Sequence, residues 1–550
     1  MKLTRVSVIG LAAVLAWVNL AVCQEQLKKQ LPASKPLANA KGPQASRHVP
    51  MTISKETTYI TEPLRKDGYV DYLAALNQRC RAGVTKENNV AVPFLQAMGP
   101  AEIDPKHRAE YCKMLDIGLL PEKGDYYITL ERYVKALKDA GKKVVEEDKE
   151  GHDVNWEQLT QAMKRPWPKQ EFPLLAGWLA ANEKPLALVI AASQRSRRYD
   201  PLISDDGTVV AAQLTIFIQY RDVARALTAR AMLRVEEGNL DPAWQDLLAC
   251  HRLARLAGQG PTLVDALVAT YMDGTACVGD QGLLRHARLV PAQIARIRAD
   301  LDKLAPLPKM VEKINVAERF MFLDCLGMVA RKGISSMSGV AEAADGGKPD
   351  SLSQTLMDAV AESAFDWDLV LRMGNSWYDR MIDACGKPTR AQREAALRKV
   401  DDDLRKLFAA SKDWKSTALS LLGGVRHATS ERTGQALIAI LLPAVQPCLR
   451  AEDRANMQFG VTRLAFALAA YRADRGTYPA KLAELVPKYV AEVPKDIFIA
   501  ADLHYRLEGG GYLLYSVGPN GKDDGGKGTD DRKQGEDWDD IAVRIGPIEK

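Results

Sequence analysis

Apolar residues recur at helical spacing along most of this chain and alternate at strand spacing only near its end. Met457, Val461, Leu464, Leu468 and Tyr471 repeat at i, i+4, i+7, i+11 and i+14. That stripe marks one long amphipathic helix lying on a flat surface and covered by it. Gly476 and Pro479 in RADRGTYP supply its stop. Upstream, ARALTARAMLRVEEGNLDPAWQDLLACHRLARL predicts a helical hairpin. Its first helix closes at Glu237-Gly238, residues 239–242 turn the chain, and Ala243, Leu247 and Cys250 begin a second stripe. FPLLAGWLAANEKPLALVIAASQ reads as two further helices. YVDYLAALNQRCRAG reads as one, with Tyr72, Ala75, Leu76 and Arg79 at helical spacing and Gly83 as its stop. VTKENNVAVPFLQAMGP restarts the helical text with Thr85 as N-cap, and Asn88-Asn89 reads as capping or loop contacts.

The strand signal is confined to the last tenth of the chain. LHYRL alternates, residues 508–511 turn, and YLLYSV returns, which is a hairpin. IAVRI, at 541–545, is a third strand. The fold class expected is therefore mostly α: a multi-helix body with a C-terminal α+β unit, a long helix on a small antiparallel sheet. Pro166-Trp167-Pro168 and the small, glycine-rich ISSMSGVAEAADGGKPD break the text. They suggest a signal peptide at 1–23, a linker at 24–56 and helical regions at 57–165, 166–345 and 346–434, followed by the C-terminal unit at 435–550. The 224–256 hairpin resembles a single tetratricopeptide-type helix pair, without a repeat at the expected period.

Composition adds location. MKLTRV is a short basic segment, VIGLAAVLAWVNLAV an apolar one, and Ala21-Val22-Cys23 offers small residues for cleavage, so the protein is expected to be exported to the periplasm or cell envelope. Simple cleavage is favoured; lipidation at Cys23 and an uncleaved anchor are the other two outcomes, and they are the only membrane attachment the text suggests. The formal charge of +5 over 550 residues carries no basic stripe or nucleic-acid motif. Eight scattered cysteines form no CxxC. Cys250, Cys277 and Cys325 read as buried small hydrophobes, and Cys80–Cys112 as a candidate bridge.

Catalytic signatures are sparse. HExxH, GxSxG and GxxxxGK[ST] are all missing. His251, alone on a helix, reads as a satisfied core or surface residue. The best enzyme-like stretch joins Asp366, Asp368 and Asp379 to Trp367, Trp377 and Tyr378, an arrangement that would suit a hydrolase acting on glycans. The bland alternative is that the rings are core anchors and the acids face water. RSRRYD, at 195–200, reads as surface ion pairs or an anion contact.

The loop between the last two strands, 518–540, runs for 23 residues. It carries Asp523, Asp524, Asp530, Asp531, Glu536, Asp537, Asp539 and Asp540 against Lys522, Lys527, Arg532 and Lys533. Clustered carboxylates repel unless a partner screens them, and a hard divalent cation with six to eight oxygen ligands suits a glycine-rich acidic loop. It is not an EF-hand, because Lys522 falls on a ligand position. LIAILLPAVQ, AYRADRGTYP, PKD and YLLYSVGPNGKDDGG with DDI together resemble the major pseudopilins of type II secretion systems and related type IV pilin-like proteins. The resemblance covers about 435–550. It implies a structural calcium ion, with Asn520 at the first side-chain ligand position and the later acidic ligands at Asp530 and Asp531 or at Asp539 and Asp540. Those proteins begin with a prepilin site and a long apolar helix; here the matching helix is internal and interrupted by Pro443 and Pro447. The rest of the chain, through TYITEPLRKDGYVDYLAALN, is similar to exported bacterial proteins of unknown function. Together these point to binding or assembly with a protein partner in the envelope. A hydrolase and a component of a secretion-like machine are the alternatives.

Overall fold

A computed structural model describes residues 49–144, 153–212, 216–332, 365–412 and most of 430–546. The expected signal peptide, the expected linker up to residue 48 and the 334–350 stretch lie outside the described residues. The N-terminal helices are α1 (Tyr72–Arg81), α2 (Ala91–Met98), α3 (Arg108–Met114), α4 (Leu130–Asp139), α5 (Val154–Lys164), α6 (Pro173–Ala181) and α7 (Glu183–Ala192). Gly83 and Gly99 leave α1 and α2 with φ of 71° and 77°, a backbone state that glycine adopts without steric cost. α6 and α7 are the two helices expected there, bent by 62°. No single helix among the described residues is long and apolar enough to cross a membrane. Thr85 caps only a turn, exchanging contacts with Asn88, and α2 starts six residues later. Asn89 is buried and pairs through its amide with both backbone groups of Tyr199.

The centre of the molecule is a three-helix packing of α8 (Ile216–Glu236), α9 (Leu240–Ala257) and α10 (Leu263–His286), with α11 (Pro291–Asp302) alongside. Gly238, at φ 76°, turns α8 into α9 at the expected hairpin. Thr262 and Asp265 form a reciprocal capping box at the start of α10. Beyond it, α12 (Met310–Lys313) runs through a π-helical turn, Ile314–Glu318, into α13 (Arg319–Lys332). α14 (Trp367–Cys385) packs on α13, and α15 (Arg390–Lys412) on α14.

The long helix α16 (Val445–Arg475) is the expected amphipathic one. Met457, Val461, Leu464 and Leu468 are all buried, while Tyr471 sits at the edge and bonds Glu484 at 2.8 Å. The helix is covered on more than one side. α10 and α11 pack on it, and so does the sheet, whose strands β4 (Gly511–Ser516) and β5 (Ile541–Ile545) touch it. Phe466 meets Trp244 of α9 edge-on at 6.2 Å. The sheet order is β3 (His504–Glu508), β4, β5, antiparallel throughout, with Tyr512 opposite Ile545 and Leu514 opposite Val543. Gly509 and Gly510, both at positive φ, make the hairpin turn. A two-residue pair, β1 (Lys495–Asp496) with β2 (Ala501–Asp502), was not legible in the sequence.

Two large cores hold these parts together, and the segment boundaries expected from sequence run through both. One core joins Phe94, Leu159, Trp167, Trp178, Trp244 and Leu247 to Phe466, Tyr512 and Val543. The other joins Met51, Tyr72 and Leu76 to Met310, Phe322, Trp367, Tyr378 and Cys448. The C-terminal unit therefore shares its interior with the helical body. The expected linker also ends early, because Met51 is already buried. Cys80 and Cys112 are free thiols, not a bridge; Cys112 is buried, and Cys80 packs against the small cluster of Ala91, Leu95 and Tyr111. Cys250, Cys277 and Cys325 are buried, as their apolar surroundings predict.

Glu318, in the π turn, is buried, and its carboxyl accepts the Leu263 N–H at 3.2 Å. Burial pushes its carboxyl up to about 7, with the Asp265 charge adding to the shift. A carboxyl raised in the folded state contributes stability below the unfolded value, near 4.3, and loses it as the pH rises through about 7. Glu318→Gln keeps the acceptor and removes the ionisation. The variant should therefore gain about 1–3 kcal/mol over the parent at pH 8 and nothing at pH 4.5, measured by urea unfolding at the two pH values.

Candidate functional site

The acidic loop leaves β4 and returns as β5, so its two ends are fixed by adjacent strands. Asp496, fully buried in β1, accepts the Val517 N–H at 2.8 Å and pins the start of the loop. Gly518 follows at φ 71°, and a Cβ there would overlap the Asp539 carbonyl. The loop's two ends approach closely at this glycine.

Within that frame the carboxylates divide into two groups. Asp524, Asp539 and Asp540 face inward. Asp540 is buried, and its Oδ2 accepts the Gly526 N–H at 2.7 Å and the Asp524 N–H at 3.2 Å. Its Oδ1 is buried with no hydrogen-bond partner. Burial raises the Asp540 carboxyl to about 6, and the Asp524 and Asp523 charges push the same way. Asp539, also raised by burial, accepts the Asn520 N–H at 3.2 Å, and Arg454 of α16 holds its carbonyl at 3.1 Å. Asp524 Oδ2 accepts from the Asn520 side chain at 3.2 Å and from the Asp539 N–H at 3.4 Å.

The second group is neutralised at the surface. Asp530 reaches Lys164 of α5 at 2.6 Å, and Asp531 caps a short 3-10 turn by accepting the Gly528 N–H at 2.9 Å. Asp537 pairs with Lys522 at 2.8 Å. Asp523 accepts from the Tyr515 hydroxyl at 2.9 Å. Of the expected ligands, the structure therefore brings Asp539 and Asp540 to one place and keeps Asp530 and Asp531 away from it. Asn520 lies there too, but its carbonyl oxygen accepts the Lys522 N–H at 2.7 Å in a local turn, leaving its NH2 group to face the carboxylates. An amide donor in that place relieves part of the repulsion without a metal. Asp524, not singled out from sequence, takes the inward position; the only sequence signal for it was membership of the acidic loop.

The donors fit a hard cation in kind: all are oxygens, and one buried carboxylate oxygen is unpartnered. Among the described residues no three loop carboxylates come within 4.8 Å of one another. A bound ion would accordingly draw on backbone carbonyls as well as on Asp524, Asp539 and Asp540.

The enzyme-like acids do not share a cleft. Asp366 caps the start of α14, bonding the Leu369 N–H at 3.0 Å, and Asp368 accepts the Thr52 N–H at 2.7 Å. Asp379, about three turns along the same helix from Asp368, pairs with Arg319 at 2.7 Å. Trp367 and Tyr378 are core anchors, and Trp377 lies half-buried under Arg380 at 4.2 Å. In RSRRYD, Arg195 and Arg197 are exposed. Arg198 is buried and bonds Asp265 at 2.6 Å, Asp200 and the Ala257 carbonyl. No protein-family model, curated protein or solved structure matches this chain.

Proposed function

We propose that this is an exported protein of the cell envelope that binds or assembles with a protein partner, and that calcium closes its pseudopilin-like C-terminal loop. The leader pattern MKLTRVSVIGLAAVLAWVNLAVC supports the location. The observation that carries the calcium reading is the unpartnered, buried Asp540 Oδ1 beside Asp524 and Asp539. Calcium there would be structural: it would neutralise the inward carboxylates and hold β5 against β4. The residues that would bind it are Asp524, Asp539 and Asp540. The same loop on a secretion-like machine would call for a free apolar stripe on α16, and that stripe is buried.

The test uses the full chain, because the C-terminal unit shares its core with the body. A site with a dissociation constant near 10 μM should contribute about 2–3 kcal/mol at 1 mM calcium, read as a rise in melting temperature. Asp524→Ala with Asp540→Ala should abolish that rise, and Asp530→Ala should leave it intact. An unchanged melting temperature in millimolar calcium rejects the site, and a loss in Asp530→Ala moves it to the other end of the loop.

A further inference from the structure

A fully buried polar cluster lies where α9, α10 and α16 meet. His251 of α9 is fully buried, with both ring nitrogens engaged by carboxylates of α10. Its Nδ1 meets Asp273 Oδ1 at 2.6 Å, and its Nε2 meets Asp280 Oδ2 at 2.9 Å. Arg255, one turn along α9, also bonds Asp273 Oδ1. Asp273, Cys277 and Asp280 are spaced i, i+4 and i+7, so one face of α10 presents all three toward α9. The Cys277 thiol lies beside the Thr462 hydroxyl of α16, and the Phe459 ring covers the imidazole edge-on at 5.5 Å.

Three features of this cluster go beyond a satisfied core histidine. A ring nitrogen of His251, the Cys277 sulfur and a carboxylate oxygen of Asp280 all lie within 4.8 Å of one another, the spread of ligands around one ion. Asp280 Oδ1 is fully buried and has no hydrogen-bond partner. Asp273 Oδ1 is shared between the Arg255 guanidinium and His251 Nδ1. With Nδ1 turned to Asp273, Nε2 is the nitrogen on the Asp280 side. A carboxylate behind a histidine is the common outer-shell arrangement at zinc sites.

We propose that His251 Nε2, Cys277 Sγ and Asp280 bind a structural zinc ion, with Asp273 orienting the imidazole and the Thr462 hydroxyl available at the fourth position. Mixed nitrogen, sulfur and oxygen donors in a closed tetrahedral set suit zinc better than calcium or magnesium, which prefer oxygen alone. The charges balance in both states. Without metal, two carboxylates face Arg255 and a doubly protonated His251, and the sum is zero. On binding, one proton leaves Nε2 and one leaves the Cys277 thiol for solvent. The zinc charge then offsets Asp273, Asp280 and the thiolate together with Arg255, and the sum is again zero. Burial of every donor means that the ion enters as the chain folds.

The full chain should be produced in medium supplemented with zinc, and separately with cobalt, and its metal content measured after gel filtration. The expected result is about one zinc per chain in the parent, and a sulfur-to-cobalt absorption band in the near ultraviolet for the cobalt form. Cys277→Ser and His251→Gln should each reduce the zinc content at least tenfold and remove the band. Cys250→Ser, the neighbouring thiol that donates to the Met272 carbonyl, should keep both. A folded parent that holds no stoichiometric metal, with His251 doubly protonated by NMR, overturns the site whether or not the variants fold. A cobalt band that survives Cys277→Ser overturns it as well.

Discussion

Replacing Phe466 by alanine is expected to cost about 3–5 kcal/mol of unfolding free energy, and to cost it in two places at once. Phe466 is fully buried on α16 and packs edge-on against Trp244 of α9, in the same core that contains Tyr512, Leu514 and Val543 of the sheet. The cavity left behind would sit between the helical body and the C-terminal unit. Native-state hydrogen exchange on parent and variant gives the reading. Amides of β4 and those of α9 should lose protection together, because they rest on one interior. If the β4 amides keep their protection while α9 loosens, the sheet and its helix are an independent unit and the shared core does not couple them.

The second large effect is expected at Arg198. Its side chain lies over the Tyr220 ring at 5.2 Å and is the common partner of Asp265 and Asp200. Arg198→Met would leave Asp265, 1% exposed, as a buried charge without its cation. Removing one partner of such a pair costs about 3–5 kcal/mol, most of it the burden of the charge left behind. Adding Asp265→Asn should recover part of the loss, although that residue also closes the α10 capping box with Thr262. The double variant should be more stable than the sum of the two singles by at least about 1 kcal/mol, measured by urea unfolding. Strict additivity would mean that the pair does not interact.

Arg198 also shows how far a local reading reaches. In RSRRYD the sequence displays a run of charge, which by habit belongs at the surface. The third arginine is buried because its partner, Asp265, stands 67 positions away at the head of α10. His251 is the same case. From the sequence it is a lone helical histidine, and its burial matches that reading. Its two carboxylates sit 22 and 29 positions on, on a helix whose packing against α9 no local pattern declares. The acidic loop divides for the same reason: Lys164, which takes Asp530 out of the cluster, is 366 positions away.

What the sequence determined by itself is the set of elements that short-range physics controls. Helical periodicity in α8, α9 and α16, the glycines that end α1 and α2, the Gly509-Gly510 turn and the alternation of β5 all depend on backbone bonds and side-chain spacing within a few residues. These were legible, as was the acidic loop between two strands. Only the tertiary structure decided which carboxylates face inward, that Cys80 and Cys112 stay apart, and that α16 is covered by the body and the sheet alike. Those outcomes follow from burial and charge pairing between distant segments, and the free energy of such contacts is set by what the fold brings alongside rather than by the residues next in line.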